Sequence, residues 1–273
     1  MRKRSAIPHW RSLLAVAAAA CLGAANVGAH DFWLVPDVFA VAASGEIVVK
    51  GQTSSAFPTT LSAVTPDRIT HARAIGAVED ERIDALSTLD NSLILRHRPK
   101  VPGQKVIAVA VGWRHVKETA ESFRKYLVAE GAADALARYD RSGQLPRSDI
   151  VRRYAKYGKT VVDVGDGPRA FERVAGHPLE FIPLADPAGE GQLQMRLIFQ
   201  GRPLAGARVH AGMAPRHGKP AKDVTLVTSD AGIISVPSGA GLWNVRTIHV
   251  VPASAGADAQ WDVHWATFVY PRK

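Results

Sequence analysis

Residues 192–212 read QLQMRLIFQGRPLAGARVHAG. Two strand-like runs, Leu193–Phe199 and Ala207–Gly212, flank a segment in which Gly201 and Gly206 enclose Pro203-Leu204-Ala205, a composition suited to a tight turn between strands. Downstream, Asp230-Ala231-Gly232 suits a hairpin before Ile233. Further runs follow at Val224–Thr228, Ile233–Val236, Leu242–Val251 and Trp261–Tyr270. Their spacing of about 8 to 15 residues, with Gly or Pro at the turns, predicts an antiparallel β-sandwich module over residues 192–273, immunoglobulin- or transthyretin-like.

Residues 30–117 follow the same grammar and form a first β module. Its strands are expected at Phe32–Val35, Glu46–Lys50, Ser92–Arg98 and Lys105–Val111, separated by segments such as Val101-Pro102-Gly103. From Glu118 the pattern changes. Phe123, Tyr126 and Leu127 stand at i, i+3 and i+4, with a break at Gly131 and Leu136 beyond it, which predicts helix up to about Tyr139. A second short helix is expected from about Asp149 to Tyr157, so residues 118–158 read as a helical insertion. Residues 159–191 read as return strands and a linker marked by Pro183, Pro187, Gly189 and Gly191. The expected fold is mainly β, two antiparallel β-sandwich-like modules with a helical insertion between them.

Residues 1–29 have the three parts of an export signal. Arg2, Lys3 and Arg4 precede an uncharged Ala- and Leu-rich run, Leu13–Gly23, too short to anchor the protein in a bilayer. Val27-Gly28-Ala29 supplies small residues for a cut before His30. The expected location is therefore the periplasm, with no stable membrane anchor after cleavage. A buried N-terminal helix is disfavoured because an Ala run behind Arg-Lys-Arg makes a poor amphipathic face. Lipid attachment at Cys21 lacks the Leu expected three residues earlier.

Without the four basic residues of the signal, the 34 Lys and Arg side chains become 30 against 25 acids, and the formal net charge falls from +9 to +5. The basic residues are scattered and carry no aromatic-interleaved stripe, which argues against a nucleic acid partner. Cys21 is the sole cysteine. Processing removes it, so any metal site must be built from nitrogen and oxygen.

Cleavage before His30 would give that residue a free α-amine beside its imidazole, and the two nitrogens can close one chelate ring on a metal ion. Such ligation suits nickel or copper, and affinity alone ranks copper above nickel and cobalt. Two strand histidines are the candidate companions. His249 shares a strand face with Trp243, Val245 and Val251, a setting also compatible with a core histidine. His264 shares a face with Asp262, Ala266 and Phe268, and Asp262 could orient it or ligate beside it. His210 and His217 read as surface residues. Trp33, Trp113, Trp243, Trp261 and Trp265 read as core packing. Glu118, Glu121, Asp134, Asp140, Arg152 and Arg153 read as solvated helix charges. No nucleophile elbow, phosphate loop, His-Glu-x-x-His helix or dinucleotide fingerprint is present, so no catalytic residue is assigned.

Several short motifs occur in order: His30-Asp31-Phe32-Trp33-Leu34, Phe123 with Tyr126–Gly131, Arg153-Tyr154-Ala155-Lys156, Leu179–Pro183, Gly201–Ala207 and Trp265-Ala266-Thr267-Phe268. In these the chain resembles an uncharacterised family of secreted bacterial domains often described as a periplasmic component of cobalt/nickel transport. The resemblance implies a metal ion as ligand and a membrane metal transporter as partner. It also implies a histidine at the position of His249 and an acidic residue at Asp262, whereas His264 departs from the family pattern. Three readings follow: a periplasmic carrier of nickel, cobalt or copper using His30, His249 and His264; an exported β-sandwich interaction or scaffold module without metal; and a copper histidine-brace redox protein.

Overall fold

A computed structural model describes residues 30–142, 149–215 and 223–272; the expected signal at 1–29 and His217 lie outside the described residues. The chain begins with β1 (Asp31–Pro36), β2 (Ala40–Val41) and β3 (Ile47–Ser54), then passes a short 3-10 turn at Pro66–Arg68. Next come β4 (Ile69–Ile75), β5 (Asp80–Arg82), β6 (Ala85–Leu89), β7 (Ser92–His97) and β8 (Gly103–Thr119). Helices α1 (Ala120–Ala129) and α2 (Ala133–Arg141) precede β9 (Asp149–Val164) and β10 (Leu179–Pro183). The rest comprises β11 (Leu193–Phe199), β12 (Arg202–Pro203), β13 (Arg208–Met213), β14 (Val224–Val227), β15 (Ile233–Val236), β16 (Gly241–Pro252) and β17 (Trp261–Arg272). The protein is mainly β with a helical insertion, as its turn spacing predicts.

One nine-stranded sheet runs through the molecule in the order β14-β13-β16-β17-β9-β8-β4-β5, with β2 beside the end of β9. Its pairings are antiparallel except β17 with β9 and β2 with β9, which are parallel. Both faces are covered. On one face, Val106, Ala108, Tyr157, Val245 and Phe268 pack against Phe181, Met195, Leu197 and Ile234 of the sheet formed by β10, β11, β12 and β15. The other face is divided. Ile107, Val109, Val162 and Val164 meet Phe32, Leu34, Val49 and Leu93 of the sheet β1-β3-β7-β6. Further along, Trp261, Val263 and Trp265 meet Phe123, Leu127 and Tyr139 of the helices.

The segment 149–157 is strand, not the short helix expected after Pro146. Ile150, Val151, Tyr154 and Tyr157 favour a pleated surface, and β9 is bonded along both edges, by β8 and by β17. Pairing with two neighbours satisfies the backbone groups that a helix would have bonded internally. Arg152 and Arg153 are accordingly not solvated helix charges. Arg152 is 2% exposed, pairs with Glu118 at 2.5 Å and lies over the Tyr126 ring. Arg153 grips Asp262 through two bonds of 2.6 and 3.2 Å.

Helix α1 forms where the periodicity placed it. Thr119 caps it by accepting from the Ser122 N–H at 3.1 Å, and Phe123, Tyr126 and Leu127 are its buried side. It ends at Gly131, whose φ of +67° is open to glycine without penalty. There the Gly131 and Ala132 N–H groups return to the carbonyls of Val128 and Leu127. A second glycine serves close approach: a Cβ on Gly158 of β9 would stand 3.0 Å from Leu34 Cγ, so the bare backbone lets β1 lie across the sheet.

The small sheet β10-β11 is tied to β9 by a buried ion pair. Lys159 Nζ donates to Glu180 Oε2 at 2.7 Å and to the carbonyls of Phe181 and Arg173, while Glu180 also accepts from the Ala175 and Gly176 N–H groups. Every charge-bearing atom of the pair has a partner. Removing only one side strands a buried charge, so Glu180→Ala is expected to destabilise the fold by about 3–5 kcal/mol in urea unfolding, and Lys159→Met combined with Glu180→Leu by clearly less.

Candidate functional site

On the divided face, beside the start of β1, lies a cavity of about 360 Å³. His30 and Thr53 line it from the β1-β3 side, Ser62 and Arg68 from the loop after β3, and Arg114 from β8. Arg152, Tyr154 and Lys156 of β9 and Trp265 of β17 form its floor. The register explains this convergence, because Trp265 pairs with Lys156 across the parallel β17-β9 junction. Lys156 in turn donates to the His30 carbonyl, which holds the start of β1 over the sheet.

The cavity is cationic. Arg68, Arg114, Lys156 and Arg152 line it with no carboxylate among the described lining residues, and of the four only Arg152 has an ion pair among the described residues. Burial lowers Lys156 to about 8; the neighbouring charges of Arg68 and Arg114 push the same way, and Asp31 partly opposes them. Asp31, next to His30, faces away toward Arg246, its ion-pair partner at 3.1 Å. Desolvation raises the Asp31 carboxyl to about 6 despite that partner. Burial likewise raises Glu130, at the end of α1, to about 7, with Asp31 adding to the effect.

His264 and Trp265 are consecutive on β17, so they project to opposite faces. His264 therefore lies on the other side of the sheet from the cavity, where it pairs across strands with His249. Phe199 packs edge-on against both rings, with centroids 4.4 Å from His249 and 5.1 Å from His264. The expected orienting role of Asp262 falls to another group. Asp262 is engaged by Arg153, and the Tyr157 hydroxyl is bonded to His264 Nδ1 at 3.2 Å. Burial lowers His264 to about 4 and lowers His249 as well, so both imidazoles are neutral at pH 7.

The three residues read from the sequence as one metal site thus separate into a cross-strand pair, His249 and His264, and His30 on the opposite face. Among the described residues no group of three or more His, Cys, Asp or Glu side chains converges as a ligand cluster. Sequence reading also missed the cationic floor. Lys156 and Arg152 stood in a segment assigned to helix, and only a strand places them beside Trp265. Trp113 is the exception among the core tryptophans, 39% exposed. A bulge between Val111 and Arg114 puts two β8 residues opposite one on β9, which turns Trp113 onto the His264 face and Arg114 toward the cavity. The other four tryptophans are buried, as expected.

A family model described as "Domain of unknown function (DUF4198)" matches residues 27–251. No curated protein matches the sequence. Among solved structures, the chain is similar to trypsin-activated alpha-2-macroglobulin from Escherichia coli at 10% identity and a TM-score of 0.25. That match covers 89% of this chain but only 15% of the other. It is also similar to the D0-D1 domain of intimin at 9% identity and a TM-score of 0.20, covering 88% of this chain and 97% of that one.

The depressed histidine has a consequence for acid stability. An unfolded histidine takes up a proton near pH 6.5 whereas His264 resists until about pH 4, so its contribution is present above pH 6.5 and lost as pH falls toward 4. Between pH 7 and pH 5 this single group is expected to remove roughly 2 kcal/mol. Denaturant unfolding at both pH values should show a smaller acid loss for His264→Gln than for the parent. Asp31 and Glu130, raised in the fold, act in the opposite direction and are common to both proteins.

Proposed function

The chain belongs to the DUF4198 family of domains of unknown function, and for it we propose a periplasmic metal-capture role, accessory to metal uptake through a membrane transporter, with His30 as the capturing residue. The observation that carries the reading is the His30 imidazole. Its Nδ1 is buried and has no hydrogen-bond partner among the described residues, and the residue lines a cavity large enough for a small solute. Export and cleavage after Ala29 would place a free amine beside that nitrogen. The two together form a chelating pair for nickel, cobalt or copper, with copper favoured on affinity alone.

The donor set supports nitrogen and oxygen ligation. His30 supplies both nitrogens, and Thr53, Ser62 and Tyr154 are the oxygen-bearing side chains of the lining. His249 and His264 are not part of this proposal, since the sheet stands between them and His30. For the same reason neither can complete a copper histidine brace with His30, and His115, the other imidazole of the cavity lining, is engaged by Asp258 at 2.9 Å. Arg68, Arg114 and Lys156 disfavour a bare dication by like-charge repulsion, so the remaining coordination positions suit ligands that bring negative charge.

The test is a titration of nickel(II) and copper(II), followed by calorimetry, into protein whose first residue is His30. The same titration is run on protein with one extra Ala before His30, and on His30→Ala. Affinity at least about tenfold weaker in both altered proteins is expected, with His249→Ala unchanged. Equal affinity in all of them would return the protein to the reading of a β-sandwich interaction module without metal.

A further inference from the structure

The cavity behind His30 collects polar atoms that the fold leaves without partners. Thr53 Oγ1, Trp265 Nε1 and His30 Nδ1 are all buried and have no partner among the described residues, and all three residues line this one space. Burying a donor or acceptor without a partner is costly, so three at one site mark a place where something else is bonded. Lys156 adds a fourth unmet demand. It is 7% exposed, its ammonium has three N–H donors, and the hydrogen bond it makes is to the His30 carbonyl. It forms no ion pair among the described residues, in contrast to Lys159 three positions on, which has its own glutamate and two carbonyls.

The demand has a definite sign. The indole N–H and the ammonium can only donate, and the guanidinium groups of Arg68 and Arg114 stand at the same walls. Arg68 donates from one nitrogen to the Gly112 carbonyl and forms no ion pair among the described residues. No carboxylate among the described residues lines the space. What these groups lack is acceptor oxygen carrying negative charge. Between them lie Ala63, Val64, Val111 and the faces of Tyr154 and Trp265, apolar surface that a bare inorganic ion would leave uncovered.

We propose that this cavity is a binding site for a small organic acid carrying two or three carboxylates, held by Lys156, Arg68 and Arg114 with the Trp265 indole N–H. The buried ammonium takes one carboxylate at the floor. The two arginines take a second at the mouth, where their planar forks match carboxylate oxygens two at a time. The carbon skeleton covers the apolar wall. The site stands on its own lining and goes beyond the metal reading, holding whether or not His30 takes a metal; with a metal present, a spare carboxylate is the negative ligand that the cationic walls favour.

The experiment uses protein beginning at His30, stripped of metal by dialysis with the chelator then removed, because a polycarboxylate chelator would compete. Citrate and malonate are titrated at low ionic strength and read by calorimetry and by tryptophan fluorescence. Both are expected to bind, with Lys156→Met and Arg114→Ala each weakening citrate at least about tenfold and phosphate binding at least about tenfold more weakly than citrate. Arg114 is exposed, so its variant keeps the test valid if Lys156→Met fails to fold. Absence of citrate binding, citrate affinity unchanged in a folded Lys156→Met and in Arg114→Ala, or phosphate binding as tightly as citrate would each overturn the proposal. Citrate binding by His30→Ala while its metal binding is lost would separate the two readings.

Discussion

The parallel pairing of Arg152–Thr160 with Trp261–Val269 is the constraint on which the rest of the structure hangs. It joins β9, which follows the helices, to the last strand of the chain, and so makes one continuous sheet of strands drawn from both ends of the sequence. A strand bonded at both edges and covered on both faces has no solvent-facing side on which to place polar residues at low cost. Each polar side chain of β9 must therefore meet a specific partner. Arg152 meets Glu118, Arg153 meets Asp262, Lys159 meets Glu180, and Thr160 donates to the Val269 carbonyl.

Lys156 breaks that pattern, and the position of the break is informative. Lys156 and Lys159 are both buried on one strand, yet odd and even positions of β9 address opposite faces. The Lys159 face is closed by β10 and β11, and Glu180 and the Phe181 carbonyl of β10, with the Arg173 carbonyl from the segment before it, complete the bonding of Lys159. The Lys156 face lies under the start of β1, whose acid, Asp31, is engaged by Arg246, and no carboxylate among the described residues lines the cavity there.

The cavity and the histidine pair are back to back. Residues 264 and 265 of β17, and 156 and 157 of β9, each send one side chain to each face. Tyr157 and His264 are bonded to each other on one side while Lys156 and Trp265 line the cavity on the other. A change in backbone position at this junction would be felt on both faces, because the same peptide groups hold both sets of side chains.

The sequence by itself determined the mainly β class, the strand positions after Gln192 and the first helix, because turn residues, alternation and the i, i+3, i+4 spacing of Phe123, Tyr126 and Leu127 are local properties. It also singled out His249 and His264 as sharing a face, since period two along each strand is enough for that. The tertiary structure alone decided that 149–157 is strand, because the neighbours that satisfy its backbone come from residues 103–119 and 261–272. The separation of His30 from the strand histidines, and the meeting of His30 with Lys156, Arg68, Arg114 and Trp265, was likewise a matter of long-range register. Local pattern specifies which way a side chain points relative to its own strand; only the pairing of distant strands specifies what it points at.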